Sequence, residues 1–449
     1  MVEKIVWLIK TIIFILLLAG LQIKSASAEG LTLISDAETQ NYLAKIVKPL
    51  FNAAGVRFDA KNIFIVDDNS LNAFVSDGNY LFVHTGTIIQ AENTNELAGI
   101  LAHETGHILG GHIVRLKLKM EKMQYIMLGS VLAAGAAAVS TGRGDAAIAV
   151  ILGSQSSALN SVMHYQVQEE RSADESALNL LNKTHQSATG LLNFMKKIKK
   201  QNALSGVEEV SYFRTHPLTN ERISHFEEAS KKNHYSAKSP DDDEFLLVKA
   251  KLSAFLNDKN KVNRMYPVSN KTEAARYARS IIASKDGNIT QALSLINGLI
   301  AEKPNNPYFH ELKGQFLFES GRVKESIASY RKALEILPNN YLLQISLAHS
   351  LLESGDNKQY LQEAAELLQK SLISVKSPFA WQLLAQAYNK KGQKAATHYA
   401  TAEFNYAIGN NSAALKQIER AEKIGVAGSL KLKINDLKQK IKDDEEEDD

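Results

Sequence analysis

Apolar positions change their period along this chain, and the changes divide it. In "NIFIVDD", Asn62 to Asp68, β-branched and aromatic residues alternate before polar turn residues, the pattern of a strand. "NAFVSDGNYLFVHTG" reads as two short strands around the turn residues Ser76-Asp77-Gly78-Asn79. From "NTNELAGILAHETGHILGGH" onward the period is helical. Asn93 followed by Glu96 is a capping-box-like start, so a helix is predicted through His103 and His107 and on to His112. Two Ala/Gly-rich apolar runs follow between residues 125 and 155, split by Thr141-Gly142-Arg143-Gly144-Asp145. Each is shorter than the ~20 residues a spanning helix needs, which leaves two readings: buried helices packed through small residues, or a membrane-touching lid. A third helix carries "QVQEERSADESALNLLNK".

Polar residues and a charge run between Ser230 and Asp243 read as a linker. Beyond it the chain has helix pairs and no strands. Pro304 and Pro338, each followed by two asparagines, lie 34 residues apart, the period of a tetratricopeptide repeat. Gly314, Tyr330 and Ala333 fall on that repeat's small, aromatic and late-alanine positions, and Trp381, Leu384, Ala385 and Tyr388 reproduce its opening. The repeat near "DNKQYLQ" is stretched and predicts a loop insertion. Leu430, Ile434, Leu437 and Ile441 predict a capping helix, and the final acidic run a solvated, disordered tail.

The chain of 449 residues therefore divides into a segment at 1–28, an α+β domain at 29–235, a linker at 236–243, an all-α repeat solenoid at 244–428, and a cap with acidic tail at 429–449. The first segment combines Lys4 and Lys10, an apolar run from Thr11 to Ile23, and Ala26-Ser27-Ala28. That pattern predicts a signal peptide cleaved after Ala28, with a retained inner-membrane anchor as the alternative. A formal charge of +3 gives no argument for nucleic acid. The absence of cysteine excludes disulfides, thiolate ligands, a cysteine nucleophile and lipid attachment through cysteine. An exported chain without cysteine fits a bacterial periplasm.

Any metal site must then use histidine and carboxylate. His103 and His107 are four residues apart, so both imidazoles leave one helix face. Glu104 is rotated by about 100°, where it can reach a water polarised by the metal without being a ligand. A third ligand is required. His112 is one residue short of the spacing that a third histidine on this motif needs, because that position is Ile113; a structural or supporting role suits it better. Glu170 and Asp174, four apart in "EERSADESA", offer a ligand and a partner for a ligand histidine's free N–H, although a surface helix with acidic residues has the same pattern.

His-Glu-Thr-Gly-His followed by Glu-Arg-Ser-Ala-Asp resembles the gluzincin family that includes CAAX prenyl proteases and their soluble periplasmic relatives. "NAFVSDG" looks like that family's edge strand, which implies that Asn72 and Ala73 pair with substrate backbone. "RTHPLTNERI" looks like its His-Pro-x-x-x-x-Arg loop, which implies His216 near the metal, as a fourth ligand in a latent state, and Arg222 as a supporting residue. With the signal peptide and the solenoid, the chain resembles BepA-type periplasmic proteases. The resemblance implies a zincin-like fold and one Zn2+ per chain bound by His103, His107 and Glu170. It also implies endopeptidase action on misassembled outer-membrane proteins, help in their assembly, and a solenoid that holds the client or the assembly machinery, with peripheral membrane contact as a further expectation. A chaperone or scaffold with a latent protease is the alternative.

Overall fold

The computed structural model describes residues 31–76, 79–122, 166–205, 216–232, 235–236 and 238–448. The predicted signal peptide, its cleavage site, the apolar runs within 126–151 and the tip of the turn at 77–78 lie outside the described residues. From Ile34 onward the chain makes one compact unit.

Helix α1 (Ala37–Ala54) begins where the Asp36 side chain accepts from the Thr39 amide. Three strands follow, β1 (Ile63–Val66), β2 (Ala73–Ser76) and β3 (Tyr80–His84). β3 is parallel to β1 and antiparallel to β2, which leaves β2 at the sheet edge. Alternation sends Ile63, Ile65, Leu81 and Val83 into the core. On the other face Phe64, Phe82 and Phe74 stand in register as a stacked row, with ring centroids 5.0 and 4.8 Å apart.

The short helix α2 (Thr85–Gln90) leads to α3 (Thr94–Gly110), whose first turn is capped by Asn93 Oδ1 accepting from the Glu96 amide. Glu96 Oε2 accepts from the Glu92 amide and pairs with Lys197 at 2.8 Å, which compensates this carboxylate at the polar start of a buried helix. α3 ends at Gly111, whose φ of 64° is left-handed. The chain then restarts as α4 at 112–122, so His112 stands on a different helix from His107, contrary to the single helix predicted. α5 (166–183), α6 (Thr189–Ser205) and α7 (Asn220–Lys232) complete the first region, with Leu191, Phe194, Met195 and Ile198 of α6 packed with Leu97, Ile100 and Leu101 of α3.

Helix α8 (Asp242–Leu256) belongs to two cores at once. Phe245, Val248 and Leu252 pack with the first region, and Leu247, Ala250 and Ala254 with the first repeat. After the short α9 (Lys259–Met265) come five helix pairs: α10 (Glu273–Lys285) with α11 (Ile289–Glu302), α12 (Pro307–Glu319) with α13 (Val323–Ile336), α14 (Tyr341–Glu353) with α15 (Lys358–Ser374), α16 (Pro378–Lys390) with α17 (Lys394–Ala407), and α18 (Asn411–Ile424) with α19 (Gly428–Asp448). Gly314 is needed because a Cβ there would press on the Tyr330 ring at 3.0 Å. The stretched repeat holds its extra length in α15, which has 17 residues where α13 has 14, and not in a loop. The acidic run also departs from expectation: α19 continues through it to Asp448, and Tyr406 donates to Asp444 at 2.8 Å.

Candidate metal centre

The site is built where α3 and α5 touch backbone to backbone. A Cβ at Gly106 would lie 2.7 Å from the Ala173 carbonyl oxygen, so only glycine lets α5 approach this closely. On α5 the buried stripe runs Glu170, Ala173, Asp174, Ala177, Leu180, Leu181. Its spacing is that of one helix face, and the two carboxylates occupy the end of it nearest α3. They are core residues, which removes the alternative of a solvated acidic face.

His103, His107, Glu170 and His216 each offer a ligand atom, and the four atoms lie within 4.8 Å of one another. His103 Nε2 is 3.1 Å from His107 Nε2 and 3.4 Å from His216 Nδ1. Glu170 brings Oε2 to 3.3 Å from His103 Nε2, and Oε1 to 3.3 Å from His107 Nε2 and 2.9 Å from His216 Nδ1. A cation about 2.0–2.1 Å from four tetrahedral ligands would set them roughly 3.3 Å apart. The donor set fits such an ion.

Around the four, the second contacts fix geometry. Asp174 Oδ1 is 3.0 Å from His103 Nδ1, which turns that ring's Nε2 toward the centre. Arg222 donates from Nε and Nη2 to the two oxygens of Asp174 at 2.6 and 2.8 Å, and from Nη1 to the Pro217 carbonyl at 2.8 Å. The same guanidinium reaches Glu170 Oε2 at 2.8 Å. One buried arginine thus ties the His216-Pro217 segment to α5. Glu104 leaves both of its carboxylate oxygens without a hydrogen-bond partner among the described residues, where Glu170 leaves only Oε2. It is buried, and its Oε1 is 3.6 Å from His216 Nε2.

The charge states follow from this packing. Burial opposes protonation of His103, but Glu170 and Asp174 outweigh it and raise that imidazole to about 10. Burial, with a charged His103 beside it, drives His107 down to about 3, so its lone pair stays free. Glu170 lies well below the usual carboxylate range: burial works against this, and the surrounding imidazoles overcome it. Glu104 is pushed up by burial, as suits a group that accepts a proton.

Beside the cluster is a cavity of about 300 Å3 lined by Phe74, Val75, Glu104, His107, Ile113 and Leu116 among others. The edge strand reaches it, but Asn72 is not placed to pair outward. Its amide donates to Thr87 Oγ1 at 2.8 Å, and its carbonyl accepts from Thr87 Oγ1 and from the His84 amide. With residue 72 paired to 84, antiparallel alternation turns the backbone groups of Ala73 and Val75 toward the free edge. Val75 was missed because its orientation depends on register. Glu169 and Arg115 were missed as well: Glu169 Oε2 lies 2.6 Å from both His112 Nε2 and Arg115 Nη2.

Residues 37–230 match peptidase family M48, and residues 277–341 match a tetratricopeptide repeat family. The chain is 24% identical over 371 residues to the beta-barrel assembly-enhancing protease of Escherichia coli (strain K12), covering 79% of this chain and 73% of the relative. It is 22% identical over 411 residues to a putative beta-barrel assembly-enhancing protease of Vibrio cholerae serotype O1, covering 88% and 82%. Over 184 residues it is 29% identical to the metalloprotease YcaL of Escherichia coli (strain K12), covering 41% of this chain and 66% of that one.

Proposed function

We propose that the chain, whose residues 37–230 match peptidase family M48, is a zinc-dependent metalloendopeptidase of the periplasm acting on outer-membrane proteins. The observation that carries the chemistry is the pairing of four converging ligand atoms with a buried carboxylate that has no hydrogen-bond partner among the described residues. His103, His107 and Glu170 would hold a zinc ion, which when bound would supply Lewis acidity for a peptide carbonyl and for the attacking water. Glu104 takes the proton from that water and delivers it to the departing amine, so that water adds across the cleaved bond. Asp174 and Arg222 hold His103 and the His216 segment in place. Ala73 and Val75 offer a client's extended backbone the free edge of β2, with the scissile bond beside the cavity.

The names of the relatives and the predicted signal peptide support the location and the client class. Stacked helix pairs supply a surface for a client or for assembly machinery, which are the kinds of partner this reading implies. No described helix is long and apolar enough to cross a membrane. The test is cleavage of an unfolded outer-membrane β-barrel protein by wild type and Glu104→Gln at matched zinc content. The variant should lose at least 100-fold in rate; equal rates would reject the assignment.

His216 supports a second reading, in which the protease is latent and the solenoid acts mainly as a chaperone or scaffold. Its Nδ1 sits inside the ligand cluster, 2.9 Å from Glu170. His216→Ala should then raise proteolysis while zinc is retained, and an unchanged or lower rate would reject latency.

A further inference from the structure

Beyond the four ligand atoms, the buried His112 borders the cluster and has no part in the chemistry above. His112 is 3% exposed, directly after the left-handed Gly111. Gly110 makes room for it, since a Cβ there would overlap the ring at Nε2 and Cδ2. Its Nδ1 lies 2.9 Å from His107 Nδ1 and its Nε2 2.6 Å from Glu169 Oε2. Two ring nitrogens this close attract only if one carries a hydrogen and the other does not. His107 turns Nε2 into the cluster, so a ligand lone pair at that atom requires the hydrogen on Nδ1. His112 Nδ1 must then accept, and its own hydrogen falls on Nε2, which faces Glu169. One arrangement of two neutral rings satisfies the contact between them and puts the His112 N–H beside the Glu169 carboxylate, close to it but outside hydrogen-bond alignment.

We propose that His112 and Glu169 are positioning residues that fix the tautomer and ring angle of His107 for metal binding, an inference that rests on the metal reading of the cluster. The two ligand histidines are then served differently. The outward Nδ1 of His103 meets the carboxylate of Asp174 directly at 3.0 Å, whereas the Nδ1 of His107 is linked to a carboxylate through a second imidazole. Arg115 completes the chain by donating to Glu169 at 2.6 Å and to the Gly110 carbonyl, which ties the relay to the end of α3. The sequence His-x-x-Gly-Gly-His is what this geometry needs: two glycines for the break and the ring, then the histidine.

The test is zinc affinity by competition with a chromophoric chelator, read beside the thermal unfolding of the metal-stripped protein. His112→Leu fills the space but removes the acceptor, and it should weaken zinc binding by 10- to 100-fold with little change in metal-free stability. His112→Asn, whose Oδ1 can stand where Nδ1 stood, should recover part of the loss. Glu169→Gln should weaken binding less than His112→Leu and serves if the leucine variant fails to fold. Unaltered affinity in His112→Leu and Glu169→Gln would overturn the proposal. So would a loss matched by an equal fall in metal-free stability and not relieved by asparagine, which marks a purely structural role. A wild type that takes up no zinc would overturn it together with the metal reading, and the wild-type titration separates that case from the others.

Discussion

Two buried clusters of ionisable groups in this chain have the same formal composition and different chemistry. Around Lys251, where the first region meets the solenoid, stand Asp36, Glu38 and Glu311, at 2.5, 3.5 and 3.2 Å from the ammonium. Around Arg222 stand Asp174 and Glu170, with Glu104 close by across His216. Each set has three carboxylates and one cation, a formal excess of two negative charges. The joint relieves its excess with protons. Burial, and then the neighbouring Asp36 and Glu311, push Glu38 up to about 7 against the pull of Lys251, while Tyr277 donates to it at 2.8 Å. Burial raises Glu311 as well, whereas Lys251 holds Asp36 low despite burial.

The metal candidate has three imidazoles where the joint has none. Their nitrogens converge, His107 stays neutral, and the proton drawn onto His103 occupies charge that a divalent cation can replace. A closed cluster of carboxylates and lysine locks two regions together. The same excess charge arranged around imidazole lone pairs makes a place for an ion. What separates structure from function here is the donor type at the centre, and not the amount of buried charge.

Lys251→Ala should have the largest effect, because it leaves the buried Glu38 and the largely covered Asp36 and Glu311 with no cation. A loss of about 3–5 kcal/mol in urea unfolding is expected, and a loss below about 1 kcal/mol would show that the joint is not held by this pair. The next effect concerns pH. Glu38 binds its proton more tightly in the fold, about 7 against an ordinary 4.5, so its contribution is complete below about 4.5 and is lost as pH rises through 7. Stability should fall by about 2–3 kcal/mol from this source between pH 5 and 8. Glu38→Gln should flatten that decline, and parallel pH profiles for the two proteins would refute the assignment. The smallest effect is expected at the exposed Arg322–Glu325 pair, where Arg322→Ala should leave the urea unfolding midpoint unchanged. A shifted midpoint there would mean that surface pairs contribute more to the solenoid than its packed faces allow.

How much of this could be read from the sequence follows sequence distance. His103, Glu104 and His107 lie within one helical turn, so their spacing alone sets their mutual positions. Glu170 and Asp174 were open to a surface reading until the buried stripe of α5 put them in the core. His216 and Arg222 came through a resemblance, because no local period places a loop 46 residues after Glu170 against it. The relay through His112 depends on a helix break at Gly111 that a continuous apolar pattern conceals. The register that occupies Asn72 and turns Val75 outward is likewise invisible without strand pairing. Least legible was the joint, where Glu38 meets Tyr277 across 239 positions. Repeat periodicity, in contrast, announced the solenoid while misplacing the extra residues of α15 and the order of α19.

The central claim is that the imidazole cluster is a metal centre and the lysine cluster is not. Elemental analysis of the purified protein beside His103→Ala and Glu38→Gln tests it most directly. Wild type and Glu38→Gln should each hold one equivalent of zinc, His103→Ala should hold far less, and a chelator should lower the unfolding temperature of the first two only. A wild type that holds no zinc, or a His103→Ala protein that keeps a full equivalent, would contradict the account.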